Sequence, residues 1–292
     1  MGTTIEEIRV VQAGPHSHHD ALWLADAAGK ECLESAGVLP TDVDLLINAG
    51  LYRDRILGEP ALASLVQEDI GINPEDPHPG GHGSFSFDVA NGACGALTAL
   101  QLADRFLQAG TIRKALIVSS DADPGHRLAS SFPFRPAGGA VLCVHDTTRR
   151  GLLGHVHWTT VTDERHAWRA TVGSDGGHNR LHIEMGPTFC DDAGVAAAKV
   201  AAEALAAGGL TPDDLAVVVA APAYPTFVRS FTSHSDIDPE RVITSGDERL
   251  HTVSLVAALD YAHANGLLTR NGIALLVCAG SGITAGAALY RS

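Results

Sequence analysis

The chain repeats itself. Residues 26–50 (DAAGKECLESAGVLPTDVDLLINAG) read as a helix, a glycine stop, a Pro/Asp turn and an apolar strand, and residues 197–222 (AAKVAAEALAAGGLTPDDLAVVVAAP) give the same order. A second pair follows. CGALTALQLADRFLQAGTIRKALIVSS and HTVSLVAALDYAHANGLLTRNGIALLVCAG each run helix, glycine, basic turn, strand, with 16 positions from Cys94 to Gly110 and 15 from His251 to Gly266. A helix shows itself by apolar residues at a 3.6-residue period, and a strand buried on both faces by a short continuous apolar run. The strand segments LLINAG, ALIVSS, AVVVAAP and IALLVCAG are of the second kind. Two similar halves of alternating helices and strands predict mixed sheets covered on both faces, a layered α/β fold with pseudo-twofold symmetry. In such a fold equivalent helix N-termini face each other near the pseudo-axis. Cys94 and His251 head equivalent helices and are thereby brought into one candidate site.

Composition narrows the function. Twenty Lys and Arg stand against 34 Asp and Glu, a net charge of −14, which argues against nucleic acid or an anionic membrane surface as partner. With 45% hydrophobic residues, no bilayer-length apolar run and no charged-then-apolar leader, the expectation is a soluble, cytoplasmic protein. The five cysteines form no CxxC pair, so neither a disulfide framework nor a zinc site is expected, and no metal is. Cys32, Cys143, Cys190 and Cys278 read as small buried hydrophobes. His16, His18 and His19 read as loop residues, and Gly173 to His178 as a surface turn.

Cys94 differs from the other cysteines in its setting. Phe87 to Ala90 read as a short buried strand, Asn91 to Ala93 as a turn, and Gly95 onward as a helix, which places the thiol on the joint. Unpaired N–H groups at a helix start stabilise a thiolate, and flanking glycines let an acyl group approach the sulfur. A nucleophile is the expected role.

EPALASLVQEDIG, FDVANGACGALTALQLAD, ERVITSGDERLHT and VCAGSGITAGAALYR, in this order, resemble the thiolase superfamily, in its beta-ketoacyl-acyl carrier protein synthase III branch, over nearly the whole chain from about Asp20 to Arg291. The resemblance implies a thiolase-like fold of layered α-β-α-β-α architecture and a homodimer joined near GSFSFDVANG. It implies that Cys94 takes an acyl group from a coenzyme A or carrier-protein thioester. No bound cofactor is implied; the thioester is the substrate, and the acyl carrier protein a partner. Gly280-Ser281-Gly282 matches the stretch that forms the oxyanion hole with the cysteine's own N–H. Tyr224, Gly280 and Gly282 are expected against the substrate. Glu59 matches a Glu-Pro whose carboxylate serves as a base in relatives that condense without decarboxylation, in certain cases across the dimer interface; a first-turn glutamate ahead of a Pro-initiated helix is the simpler reading.

Three departures from the family pattern matter. Ala221 stands where the family has its catalytic histidine, His251 stands where it has an asparagine, and Pro136 replaces an aspartate in a glycine-rich run. The front is short, with about two dozen residues before the first helix where the family has an extra strand and a carrier-holding loop. LYRDR (residues 51–55) and SSFPFRPAGG (residues 130–139) are the candidates to replace that loop.

In a decarboxylating synthase the His and Asn together hydrogen-bond the thioester carbonyl as carbon dioxide leaves. Ala221 offers no such bond, whereas one imidazole opposite a thiol suits proton transfer. The leading expectation is an acyltransferase that passes an acyl group from Cys94 to an oxygen or nitrogen nucleophile in natural-product assembly. A carbon–carbon condensing enzyme with Glu59 or His251 as base comes second, and a non-catalytic ketosynthase-like partner third. The expected division is 1–150 for the half carrying Cys94, 151–195 for a cap or linker, and 196–292 for the half carrying His251.

Overall fold

The computed structural model describes residues 2–14, 20–53, 59–72, 83–125, 127–129, 131–147, 151–161, 167–175 and 178–292. His16, His18 and His19 lie outside them.

The first half runs β1 (Gly2–Gln12), α1 (Ala21–Ala36), β2 (Leu45–Asn48), α2 (Leu62–Ile70), β3 (Phe85–Asp88), α3 (Gly95–Gln108), β4 (Lys114–Asp121) and β5 (Ala137–Asp146). The second runs β6 (Gly151–Thr160), the hairpin β7 (Trp168–Asp175) and β8 (His178–Met185), α4 (Phe189–Gly208), β9 (Leu215–Ala221), α5 (Pro225–Ser235), β10 (Val242–Ile243), α6 (Ser254–Ala264), β11 (Ile273–Gly280) and β12 (Thr284–Arg291). One sheet is ordered β1-β5-β4-β2-β3 and the other, read from its opposite edge, β6-β12-β11-β9-β10. In both, the first two pairings are antiparallel and the last two parallel. The repeat in the sequence is therefore a repeat of topology, strand for strand.

Local chemistry sets the shared boundaries. Asp20 caps α1 by accepting the Trp23 N–H at 2.7 Å. Left-handed glycines, Gly37 and Gly209, end α1 and α4, and each is followed by a single Pro-started 3₁₀ turn leading into β2 or β9. The two sheets enclose α3 and α6 in one buried apolar cluster that takes in Leu97, Leu100, Leu255 and Leu259. A second cluster joins α1 and α2 to the outer face of the first sheet, and a third joins α4 and α5 to the outer face of the second. The layers thus run α-β-α-β-α.

Four sequence expectations are corrected. The strand before Cys94 is residues 85–88, not 87–90, and it is half-buried with Phe85 exposed, because β3 is an edge strand with a neighbour on one side only. The short front does carry a strand: β1 pairs along β5 from Gly2 to Gln12. Of the segment 151–195, residues 151–160 form an edge strand of the second sheet and residues from 189 belong to α4, so only the β7–β8 hairpin stands apart from the repeat. Of the residues read as a surface turn, 173–175 end β7 and His178 opens β8, paired as a ribbon, and residues 176 and 177 lie outside the described residues. Cys32, Cys143 and Cys278 are buried as expected of small hydrophobes, but Cys190 is only half-buried.

Candidate active site

Each half delivers one reactive group to the interface of the two sheets. Gly92–Cys94 make a 3₁₀ turn that runs directly into α3, with Cys94 at its N-cap. The thiol is fully buried, and its Sγ lies 3.5 Å from the Thr284 carbonyl on β12. Gly280, at the end of β11, faces it: a Cβ there would sit 3.5 Å from Sγ. Cys278 is a close neighbour on the same strand, and burial together with the Cys94 thiol pushes its own thiol well up.

His251 stands in the turn that precedes α6, three residues before the helix begins, and is 5% exposed. Its ring stacks on Phe134 at 4.4 Å between centroids and on Trp168 at 5.5 Å, and packs at a tilt against Tyr52 at 5.2 Å. Behind it lies Asp121, the last residue of β4, 1% exposed. Asp121 Oδ2 is 3.6 Å from His251 Nδ1, an ion-pair separation just outside hydrogen-bond length. The same carboxylate accepts the Thr252 N–H and hydroxyl at 2.8 Å each and the Tyr52 N–H at 3.1 Å. Burial acts to raise the Asp121 pKa, but the His251 side chain and the Thr252 and Tyr52 N–H groups outweigh it and hold the carboxyl below the ordinary carboxylate value. Asp121 is thus a buried anion aimed at the imidazole.

The opposite edge of the imidazole faces Ser281 and Gly92. A Cβ built on Gly92 would lie 3.6 Å from both His251 Nε2 and Ser281 Oγ. Ala93, Gly280, Ser281 and His251 share a pocket with Tyr224, Phe134, Trp168 and Phe189, and its free volume is ≈ 10 Å³. A separate cavity of ≈ 500 Å³ is lined by Leu51, Tyr52, Arg53, Val89, Val172 and Leu181. Tyr52 borders that cavity and packs against His251.

The predicted residues divide. Cys94, His251, Gly280, Ser281 and Tyr224 gather at one place. Tyr224 caps the start of α5, and burial, followed by nearby Cys190 and Glu248, pushes its phenol up to about 12. Gly282 is exposed at the β11–β12 turn with φ 69°. Glu59 is exposed and precedes α2 by three residues, so it is not the first-turn residue of that helix. The Cys94 N–H, expected in an oxyanion hole, donates to the Asn91 carbonyl at 2.9 Å in this structure. Ala221, the residue expected to match the family histidine, ends β9 fully buried. Within the two segments expected to hold a carrier, Tyr52 and Phe134 wall His251, while Arg53 pairs with Asp88 and Arg135 with Asp247. Among the described residues no group of three or more His, Cys, Asp or Glu is placed to hold a metal, and no helix is long and apolar enough to cross a membrane.

Asp121 was missed in the sequence because SSDAD contains two aspartates with nothing local to separate them. The signal was its place at the end of an apolar strand, where an ionised carboxylate persists only if paired.

Residues 205–292 match the family described as 3-oxoacyl-[acyl-carrier-protein] synthase III C terminal. The chain is 31% identical to a beta-ketoacyl-[acyl-carrier-protein] synthase III of Rhodospirillum centenum, with 99% of this chain and 91% of that protein aligned. Among solved structures it superposes on 3-oxoacyl-[acyl-carrier-protein] synthase III from Aquifex aeolicus with a TM-score of 0.80 at 20% identity, covering all of both chains. A priming beta-ketosynthase from a polyketide biosynthetic pathway gives 0.81 at 17% identity, over 99% of this chain and 96% of that one. At these identities the structural matches establish the thiolase-like fold.

Proposed function

Because the chain belongs to the beta-ketoacyl-acyl carrier protein synthase III family, and is a ketosynthase III-like enzyme, we propose that it is an acyltransferase: it loads an acyl group from a coenzyme A or carrier-protein thioester onto Cys94 and passes it to an oxygen or nitrogen nucleophile. One observation carries this reading. His251, which shares its pocket with the Gly280 that faces the Cys94 thiol, has a buried carboxylate behind it, 3.6 Å from Nδ1, while Ala221, which we align with the family histidine, ends in a methyl. A His with a carboxylate partner moves protons; two neutral donors on one carbonyl stabilise an enolate, and here the second donor is missing.

In the proposed cycle His251 Nε2 takes the proton of the incoming nucleophile, and Asp121 fixes the ring and stabilises the imidazolium. The proton then passes to the leaving sulfur. The 500 Å³ cavity beyond Tyr52 supplies room for the acyl chain. The likeness to a priming ketosynthase supports a place in polyketide or related natural-product assembly. The exposed edge strand β3 supports a homodimer, working in the cytoplasm on carrier-bound or coenzyme A-bound acyl groups.

The name of the Rhodospirillum relative favours a second reading, carbon–carbon condensation, with Glu59 or His251 as base. Incubation with acyl thioesters followed by intact mass tests the loading step that both share. Carbon dioxide release from a malonyl donor separates acyl transfer from decarboxylating condensation, and a carbon–carbon-bonded product formed without it marks condensation with Glu59 as base: acyl transfer predicts neither, and stoichiometric carbon dioxide release would overturn it.

A further inference from the structure

The space beside His251 is small and has polar groups in its wall. The pocket that holds His251, Gly280 and Ser281 is closed by Phe134, Trp168, Phe189 and Tyr224 and has ≈ 10 Å³ of free volume, against ≈ 500 Å³ for the cavity behind Tyr52. On this measure about 10–15 Å³ admits one water, provided polar partners surround it. The partners are present. The space over Gly92, which its φ of +49° and missing side chain leave open, has His251 Nε2 and Ser281 Oγ as its nearest side-chain atoms, both 3.6 Å from where a Cβ would be. Ser281 itself is exposed, so the space communicates with solvent through the serine. An alcohol or amine acceptor with a carbon attached must push an aromatic ring aside to enter; water need not.

We infer that the acceptor held at this position is water, and that the enzyme discharges acyl-Cys94 by hydrolysis to a free carboxylic acid. The inference rests on the loading of Cys94 proposed above and names the nucleophile that follows it. Ser281 Oγ and His251 Nε2 hold the water. Nε2 takes one proton as the water oxygen bonds to the acyl carbon; the C–S bond then breaks, and that proton returns to Sγ. One thioester and one water give one acid and one thiol, with no change of oxidation state and no further reactant. Ser281 acts through its side chain here, a role separate from that of a backbone N–H in the glycine-rich turn.

The test uses the whole protein and butyryl-coenzyme A in ¹⁸O-enriched water, with no alcohol or amine added. Intact mass follows acyl-Cys94, a thiol reagent follows free coenzyme A, and mass spectrometry of the butyrate counts ¹⁸O. Expected are repeated turnovers with one ¹⁸O incorporated per acid molecule from an enzyme-bound acyl group. Ser281→Ala is expected to reach full acyl-Cys94 occupancy and then to lose the acyl group about tenfold more slowly, the worth of one hydrogen bond to a reacting water. Gly92→Ala, whose methyl fills the water's place, is expected to accumulate acyl-Cys94 as well. An acyl-enzyme that forms and persists in water, or one discharged only when an amine or alcohol is added, overturns the inference and leaves the loading proposal intact. Deacylation of Ser281→Ala at the parent rate overturns it too. A parent protein that neither gains acyl mass nor releases coenzyme A removes both.

Discussion

Asp121→Asn isolates the carboxylate's charge while keeping its size. An imidazolium 3.6 Å from a carboxylate is stabilised by about 4–5 kcal/mol at an effective dielectric near 20. The amide retains a dipole and can still accept one hydrogen bond, so part of this survives. Losing about 3–4 kcal/mol from the step that forms the imidazolium corresponds to a rate about 10²–10³-fold lower. The substitution also strains the fold, because the amide's single oxygen cannot accept from both Tyr52 and Thr252 as the two carboxylate oxygens do; about 1–3 kcal/mol of stability is at stake. Activity is therefore normalised to protein that retains the parent's cooperative thermal transition. The assay is the rate of acyl transfer from Cys94 under single-turnover conditions, measured across pH. Asp121→Asn is expected to lower the plateau and to move the profile, because the protonated imidazole has lost its counter-charge. A folded variant with an unchanged profile and a rate within about threefold of the parent would show that Asp121 only ties the 250–252 turn to β4, and would refute the relay.

His251→Ala is expected to slow transfer by about 10²–10⁴-fold, the usual worth of a general base, and His251→Asn to be equally slow; the double change Ala221→His with His251→Asn is expected to shift the balance toward malonyl decarboxylation. Turnover of His251→Ala within about threefold of the parent makes Glu59 the leading base. Light scattering at micromolar concentration is expected to show a dimer, and a monomer would remove Glu59 as a base acting across an interface. Away from the site, burial, then the hydrogen bond and charge of Asp69 on α2, push the Asp26 carboxyl on α1 from 3.8 up to about 7. The folded form thus keeps a proton that the unfolded chain has lost, and stability falls as pH rises from about 4 to 7. Asp26→Asn abolishes this dependence, so its stability relative to the parent is expected to be about 2–3 kcal/mol more favourable at pH 8 than at pH 5 by denaturant titration; equal values at the two pH values contradict the shared-proton pair.

Much of the fold was legible because it is written in local patterns that occur twice. Helix, glycine stop and apolar strand need no distant partner to be recognised, and their duplication carried the pseudo-twofold, which in turn brought Cys94 and His251 together across the chain. What escaped is non-local. Asp121 reaches the Thr252 N–H and hydroxyl across 131 positions, and no spacing rule links SSDAD to ERLHT. Tyr52 and Phe134 converge on one imidazole from two connections and Trp168 from the start of β7; the two connections looked like exposed carrier contacts because they pair aromatics with arginines. The β7–β8 hairpin has no counterpart in the first half, so the repeat that exposed the other elements was silent about it. β3 was misplaced for a related reason: an edge strand buries one face, and its apolar run bleeds into the turn before Cys94.

The central claim is that Cys94 carries the acyl group, and the intact mass of the protein after exposure to acyl thioesters tests it most directly. The parent is expected to gain one acyl mass located by proteolysis to Cys94, and Cys94→Ala is expected to gain none while keeping the parent's thermal transition. Acylation of Cys94→Ala at another residue, or a parent that stays unmodified and releases no free thiol from any coenzyme A or carrier-protein thioester offered, would contradict it.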